Sequence, residues 1–147
     1  MNLFQVLEIS GSALLAERQR AEVVTSNLAN AETTSTPEGG PYKRMHVVFG
    51  AHPQMANGFQ ATLASFTDMH AEGVRVDRVV EDGAAPIRRF EPGHPDADAE
   101  GYVSYPAINP VEEMVNLMGA ARSYQLNASA VQGTKSMIQA SIDILKS

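Results

Sequence analysis

Cysteine and tryptophan are both absent from this chain of 147 residues. The lack of cysteine excludes disulfide frameworks, thiolate zinc sites and cysteine nucleophiles. Apolar residues occur only in short runs, well below the roughly 18 consecutive residues needed to span a bilayer, so we expect no membrane insertion. The first basic residue is Arg18. A secretory signal peptide begins with a basic stretch, and we therefore expect no cleaved signal peptide.

Basic residues are scarce throughout the sequence. The chain has 11 Lys and Arg against 17 Asp and Glu, which gives a net charge of −6 with histidine neutral. A nucleic-acid surface needs clustered Lys and Arg, so we expect no nucleic-acid partner. The length is that of a single domain, and the hydrophobic content of 44% excludes a disordered acidic chain.

Proline divides the chain into three segments, because all eight prolines and eight of the eleven glycines lie in residues 37–110. Residues 1–36 and 111–147 have the spacing of long helices. The middle segment alternates with period two and predicts a small β-rich region in which 51–72 is ambiguous and flexible. The strands are predicted at 42–49, 73–80, 87–90 and 102–105, with 87–90 as the hairpin partner of 73–80 across a turn at 82–86.

The C-terminal segment has the strongest periodicity. Asn109 is predicted to cap the helix, Pro110 to occupy its first position and Glu112 to complete a capping box. Steps of three and four residues then give an almost entirely apolar seam, which is typical of a coiled coil. Its members are Met114, Leu117, Ala121, Tyr124, Ala128, Val131, Lys135, Ile138, Ile142 and Leu145.

The length of this helix indicates a subunit of a larger assembly. At ~1.5 Å per residue the helix is about 55 Å long, whereas a compact chain of this size is about 40 Å across. The helix must therefore project, and its seam needs partners beyond the N-terminal helix. We predict an α+β fold in which long N- and C-terminal helices pack as an antiparallel coiled-coil-like pair, with a small β-rich insertion between them.

No motif in the sequence supports catalysis. Asp96, Asp98 and Glu100 match the first, third and fifth positions of a calcium-binding loop. Calcium also needs a bidentate carboxylate at the twelfth position, which is Ala107 here. The four histidines do not show metal-ligand spacing, and no phosphate-loop or serine-nucleophile motif is present. We therefore expect no enzyme, no metal, no cofactor and no small-molecule substrate, and a metal-dependent enzyme is the least favoured alternative.

Two stretches resemble a known family. Residues 26–33, with the sequence SNLANAET, resemble the signature of the rod, hook and hook-associated proteins of the bacterial flagellum. Residues 114–145 resemble the C-terminal helix of the same family, with Arg122, Tyr124 and Asn127 at matching places. Residues 39–44, 91–98, 101–103 and 109–114 are similar to the members that form the proximal rod, with a departure at 107–108.

The resemblance implies a structural subunit of the proximal rod of the basal body, which spans the periplasm. The implied partners are copies of the chain, other rod proteins, the MS ring and the flagellar type III export apparatus, through which the chain leaves without a cleaved signal. The subunit would polymerise through its terminal helices as drive shaft and export-channel wall. The alternative is a coiled-coil adaptor or secretion-system partner that does not polymerise.

The expected assembly interface combines the seam with the family signature. Asn27 and Asn30 share a helix face, and their amides are predicted either to cap the last carbonyls of the first helix or to bond to an adjacent subunit. The predicted interface residues are Leu14, Asn27, Leu28, Asn30, Met114, Leu117, Ala121, Arg122, Tyr124, Asn127, Ala128, Val131 and Ile138.

Overall fold

The computed structural model describes residues 3–52 and 73–146. In these ranges helices α1 and α2 flank a β insertion, which confirms the predicted α+β class. Most of the stretch predicted to be flexible, residues 53–72, lies outside the described residues. The elements in chain order are α1 (Leu3–Ala29), β1 (Met45–His52), β2 (Gly73–Glu81), β3 (Ile87–Phe90), β4 (Tyr102–Tyr105) and α2 (Pro110–Lys146).

The chain forms two compact units, each of which draws on both helices. Unit 1 comprises Met1–Gln19, Phe49–Asp77 and Ala120–Ser147, and unit 2 comprises Arg20–Val48 and Arg78–Gly119. Unit 1 therefore combines the beginning of α1 with the end of α2, and unit 2 combines the end of α1 with the beginning of α2. The helices form the predicted antiparallel pair. The units cut across the three segments that proline marks in the sequence.

The start of α2 follows the predicted capping pattern in part. Asn109 Oδ1 accepts a hydrogen bond from the Val111 N–H at 3.0 Å, so Asn109 caps the helix and Pro110 is its first residue. Glu112 does not reach back as a capping-box residue does. Its carboxylate instead accepts a hydrogen bond from the Arg44 guanidinium at 3.2 Å.

The buried face of α2 is displaced from the predicted seam. Its most buried side chains are Glu113 in unit 2 and Ala120 and Thr134 in unit 1, each 1% exposed. Small or polar residues thus occupy the fully buried positions of α2, whereas larger seam residues such as Leu117 are half-buried. The large seam residues Met114 and Tyr124 are exposed instead. Neither helix, over the ranges described, has a stretch long and apolar enough to cross a membrane.

Helix α1 is continuous through Gly11 and ends at Ala29, before the end of the segment 1–36 that was predicted to be helical. In unit 1 the Ser12 hydroxyl donates to the Ile9 carbonyl at 2.7 Å and accepts the Val74 N–H at 3.0 Å. A Cβ on Gly73 would lie 2.5 Å from the Ser12 hydroxyl oxygen. Glycine at this position therefore lets the start of β2 approach α1 closely.

The strands pair differently from the predicted arrangement. Strands β2, β3 and β4 lie at or close to their predicted positions, but β2 pairs with β1, and β3 pairs with β4. The hairpin predicted between β2 and β3 is wrong. The Asp82 N–H, immediately after β2, donates to the Arg44 carbonyl at 2.7 Å, and Asp82 Oδ1 accepts the Ala84 N–H. These bonds hold the end of β2 beside the start of β1.

The loop between β3 and β4 is held by one carboxylate. Asp98 Oδ1 accepts the N–H groups of Glu100 at 3.1 Å and Tyr102 at 2.8 Å, and Asp98 Oδ2 accepts a hydrogen bond from the Arg88 guanidinium. The backbone N–H of Tyr102 lowers the pKa of Asp98 most, burial opposes this shift, and Arg88 lowers the pKa further. The charged carboxylate therefore stabilises the folded loop.

Replacing Asp98 should give a pH-dependent loss of stability. Because the folded-state pKa lies below the ordinary aspartate value of 3.8, the stabilisation is complete above that pH and is lost as the pH falls through the folded-state pKa. Thermal unfolding of the wild type and Asp98→Asn should thus differ at neutral pH and converge in acid. Glu100→Gln, at an exposed position in the same loop, is the control. A difference that stays constant into acid would contradict this assignment.

Candidate functional site: a buried polar cluster and an exposed helix face

Asn27 is the centre of a buried polar cluster in unit 2. Its side chain is 1% exposed, and its amide nitrogen donates to the Met45 carbonyl at 2.8 Å and to Glu113 Oε2 at 3.1 Å. Its amide oxygen accepts the Met45 N–H at 2.9 Å and the Tyr42 hydroxyl at 3.2 Å. Both N–H groups and both lone pairs of the amide are therefore used.

The Asn27 amide acts like a neighbouring strand towards Met45. It bonds to both the N–H and the carbonyl of that residue, as a paired backbone would. The last turns of α1 thus fix the first residue of β1. This is neither of the roles predicted for Asn27, because its amide does not cap α1 and its side chain is not on the surface.

Glu113 and Arg44 form an ion pair next to Asn27. Oε1 of the buried Glu113 carboxylate accepts the Arg44 Nε–H at 2.9 Å and a second, shorter hydrogen bond from Arg44 Nη2. Burial lowers the pKa of Arg44, but the hydrogen bond to Glu113 and the charges of Glu113 and Glu112 outweigh it, so the net pKa is raised. The pair links the start of β1 to the first turn of α2 and neutralises a carboxylate that would otherwise be costly to bury.

The polar network continues from Arg44 to the end of β2. Arg44 Nη1 lies 3.9 Å from Asp82 Oδ2, which is 3.0 Å from His46 Nε2. The hydrogen bond with His46 lowers the pKa of Asp82 most, and the Ala84 N–H adds to this effect. We refer to Asn27, Tyr42, Arg44, Asp82 and Glu113 as the polar cluster.

A cavity of about 420 Å³ lies beside the polar cluster in unit 2, between residues 39–44, 81–86 and 106–107. Its ionisable lining groups are engaged in ion pairs. Lys43 bonds to Glu81 at 2.8 Å, which raises the pKa of Lys43, and Asp82 is paired with His46. No set of three metal-ligating side chains occurs within residues 3–52 and 73–146.

Asn30 has the capping role that was one of its two predicted roles. Its amide nitrogen donates to the Ser26 carbonyl, one turn earlier in α1, at 2.9 Å, and its amide oxygen accepts the Thr33 hydroxyl at 3.2 Å. The two asparagines of the signature thus differ in function. Asn30 closes its own helix, whereas Asn27 joins three elements of unit 2.

The other predicted interface residues lie on partly or fully exposed positions. Met114 in unit 2 is exposed, and so are four of the predicted residues of α2 in unit 1. The exposed members are Met114, Ala121, Arg122, Tyr124 and Ala128. The half-buried members are Leu14, Leu28, Asn30, Leu117, Asn127, Val131 and Ile138.

Sequence reasoning missed Arg44, Tyr42 and Glu113 as parts of the site. The sequence analysis included Glu113 and Arg44 only within the family-like stretches 109–114 and 39–44. The sequence contains no local signal for their role, because Glu113 bonds to residues 86 and 69 positions away.

Replacing Asn27 should be far more damaging than replacing Asn30. Asn27→Ala leaves the Met45 N–H and carbonyl unpaired in a buried place, and we expect it to lower the free energy of unfolding by about 3 kcal/mol. Asn30→Ala removes one exposed and one partly buried hydrogen bond and should cost about 0.5–1 kcal/mol. Urea denaturation of the free chain followed by circular dichroism measures both values. Equal losses for the two variants would contradict the internal role of Asn27.

Comparison with known proteins identifies the family to which this architecture belongs. Residues 7–35 match the family model of flagella basal body rod proteins, and residues 99–144 match that of the C-terminal part of flagellar basal body rod FlgEFG proteins. The first match covers Asn27 and the second covers Glu113, so the two matched regions meet at the polar cluster.

Curated relatives extend the match over nearly the whole chain. The flagellar basal-body rod protein FlgC of Borreliella burgdorferi is 34% identical, with 99% of both chains covered. FlgC of Bacillus subtilis is 37% identical over 99% of this chain and 100% of its own length. FlgC of Escherichia coli O157:H7 is 43% identical over 94% of each. The chain belongs to the flagellar basal-body rod protein family.

Proposed function

We propose that the chain is a structural subunit of the proximal part of the rod and that it polymerises through its terminal helices. The observation that carries this proposal is the exposed apolar surface of α2. In unit 2 Val111 and Met118 are 68% and 64% exposed, and in unit 1 Leu126 and Ile144 are 64% and 74% exposed. Large apolar side chains exposed along one helix are typical of a surface that another protein covers.

The distribution of side chains around α2 supports packing between subunits. The fully buried positions of α2 are Glu113, Ala120 and Thr134, and these positions bury little apolar area. Apolar area removed from water contributes about 25 cal/mol per Å². Covering the large side chains of α2 with neighbouring helices therefore supplies stabilisation that the single chain lacks, and a polymer repeats it in every subunit.

The mechanism that follows is mechanical. Helices packed side by side would form the wall of a tube that transmits torque and encloses the export channel. The proposed partners are copies of this chain, other rod proteins, the MS ring and the flagellar type III export apparatus. We propose that the chain passes through that apparatus, keeps its N-terminus and assembles across the periplasm. Membership of the rod family supports this setting.

The proposed interface retains the predicted residues, with one change of role. Met114, Ala121, Arg122, Tyr124 and Ala128 are proposed as direct contacts because they are exposed. The half-buried residues Leu14, Leu28, Leu117, Asn127, Val131 and Ile138 are proposed to line the edges of those contacts. Asn27 is proposed to act from inside, by holding the ends of the two helices together, and Asn30 by closing α1.

A charge placed on the proposed contact face should block assembly without unfolding the chain. Ala128→Glu introduces a carboxylate at an exposed contact position, whereas Ala130→Glu makes the same substitution at an exposed position about 200° further around α2. Both variants should keep the wild-type melting temperature. Because burying an unpaired carboxylate is costly, Ala128→Glu should be at least about tenfold depleted from purified hook–basal-body particles.

Ala130→Glu should be recovered at the wild-type level in the same particles. Equal recovery of both variants would overturn the contact face. Absence of the wild-type chain from intact particles would overturn the rod assignment itself and favour the adaptor that does not polymerise.

A further inference from the structure

Arg122 is a charged residue in a stretch of α2 that contains no acid. Between positions 114 and 142 the charged residues of this helix are Arg122 and Lys135, and both are basic. Arg122 is exposed in unit 1. Within residues 3–52 and 73–146 its guanidinium makes no hydrogen bond and no ion pair. A neighbour that covers this part of α2 must therefore supply a carboxylate, because a charge that is buried without a partner is costly.

The carboxylates of α2 lie near its two ends and are engaged within the chain. Glu112 accepts a hydrogen bond from Arg44, and Glu113 is buried in the polar cluster. Asp143 accepts a hydrogen bond from the Gln139 amide at 3.0 Å. Helix α2 of a second copy therefore offers Arg122 only carboxylates that already have a partner.

Glu8 on α1 is the acid that complements Arg122. It is exposed in unit 1, and its carboxylate has no hydrogen bond and no ion pair to any residue that the structure describes. The other exposed carboxylate of α1, Glu22, interacts within the chain. Phe4 and Leu15 lie on the same side of α1 as Glu8, at spacings of four and seven residues, and they are 68% and 65% exposed. Glu8 is thus the charged member of an exposed apolar stripe.

The direction of packing follows from the antiparallel arrangement of α1 and α2 in each chain. Subunits that repeat in one orientation bring α1 of one copy antiparallel to α2 of the next. With Glu8 opposite Arg122, this direction places Phe4, four residues before Glu8, opposite Leu126, four residues after Arg122. Leu126 is 64% exposed. One register therefore pairs opposite charges and also pairs two exposed apolar side chains.

We propose that Glu8 of one copy forms an ion pair with Arg122 of a second copy, with α1 of the first copy packed antiparallel on α2 of the second. This inference rests on the proposed function, and it names the contact by which neighbouring copies recognise one another. Each copy uses α1 towards one neighbour and α2 towards the other. Such a contact is heterologous and propagates along a polymer.

Lys135 is the alternative basic partner on α2 and provides the control. It is exposed, and its ammonium group likewise has no hydrogen bond or ion pair in the described part of the chain. Four residues before it lies the half-buried Val131, and four residues after it lies the polar Gln139. The surroundings of Lys135 therefore do not match the exposed apolar residues beside Glu8.

Exchanging the two charges tests the ion pair in purified hook–basal-body particles. Glu8→Arg and Arg122→Glu should each be at least about tenfold depleted, because like charges then face each other. The double variant Glu8→Arg/Arg122→Glu restores opposite charges and should be recovered within about twofold of the wild type. The control exchange, Glu8→Lys/Lys135→Glu, should stay depleted, because it leaves Arg122 facing a lysine.

Chemical crosslinking gives a readout that does not depend on charge. Because the chain has no cysteine, Glu8→Cys/Arg122→Cys introduces two unique thiols and leaves both positions without like-charge repulsion. A short bis-maleimide should convert this variant, in assembled particles, into a ladder of linked copies. The control Glu8→Cys/Lys135→Cys should remain a single chain.

The two tests separate this contact from the rod assignment. If the wild-type chain is present in the particles, a double charge variant that is exported but stays depleted overturns the ion pair, and so do equal ladders from the two cysteine pairs. If Glu8→Arg is not exported, the ladder decides. Absence of the wild-type chain from the particles would overturn the rod assignment, and this inference with it.

Discussion

A buried carboxylate at the start of α2 is the constraint on which unit 2 depends. Glu113 is withdrawn from water and is stabilised only because Arg44 and Asn27 both donate hydrogen bonds to it. Those donors come from the start of β1 and the end of α1. The cost of an unpaired buried charge therefore forces three distant parts of the sequence into one place, and the amide of Asn27 sets the register at Met45.

The polar cluster also explains why so much apolar surface remains outside. Since Glu113, Ala120 and Thr134 take the fully buried positions of α2, the larger apolar side chains of that helix are half-buried or exposed. Hydrogen bonds and the close packing of small side chains therefore determine which elements of the chain pack together. Its methionine, leucine and isoleucine side chains remain available for neighbours, as a polymerising subunit requires.

Local sequence patterns predicted most of the helices and strands, but they did not predict which strands pair with each other. The cap at Asn109 and the strands β3 and β4 depend on neighbouring residues, which periodicity and turn chemistry report. The pairing of β2 with β1 depends on the bond between the Asp82 N–H and the Arg44 carbonyl, and the role of Asn27 depends on Glu113, 86 residues away. Contacts between residues so distant in sequence leave no periodic signal. The family signature pointed to Asn27, but only the structure gave its partners.

We expect the polar cluster to be formed in the free chain and to open only when unit 2 unfolds. Amide hydrogen exchange of Met45, whose N–H donates to Asn27, tests it most directly. We expect the Met45 amide to be as protected as that of the fully buried Val103, because both would exchange through the same cooperative opening. A Met45 amide that exchanges as fast as that of the exposed Gly93 would contradict the account.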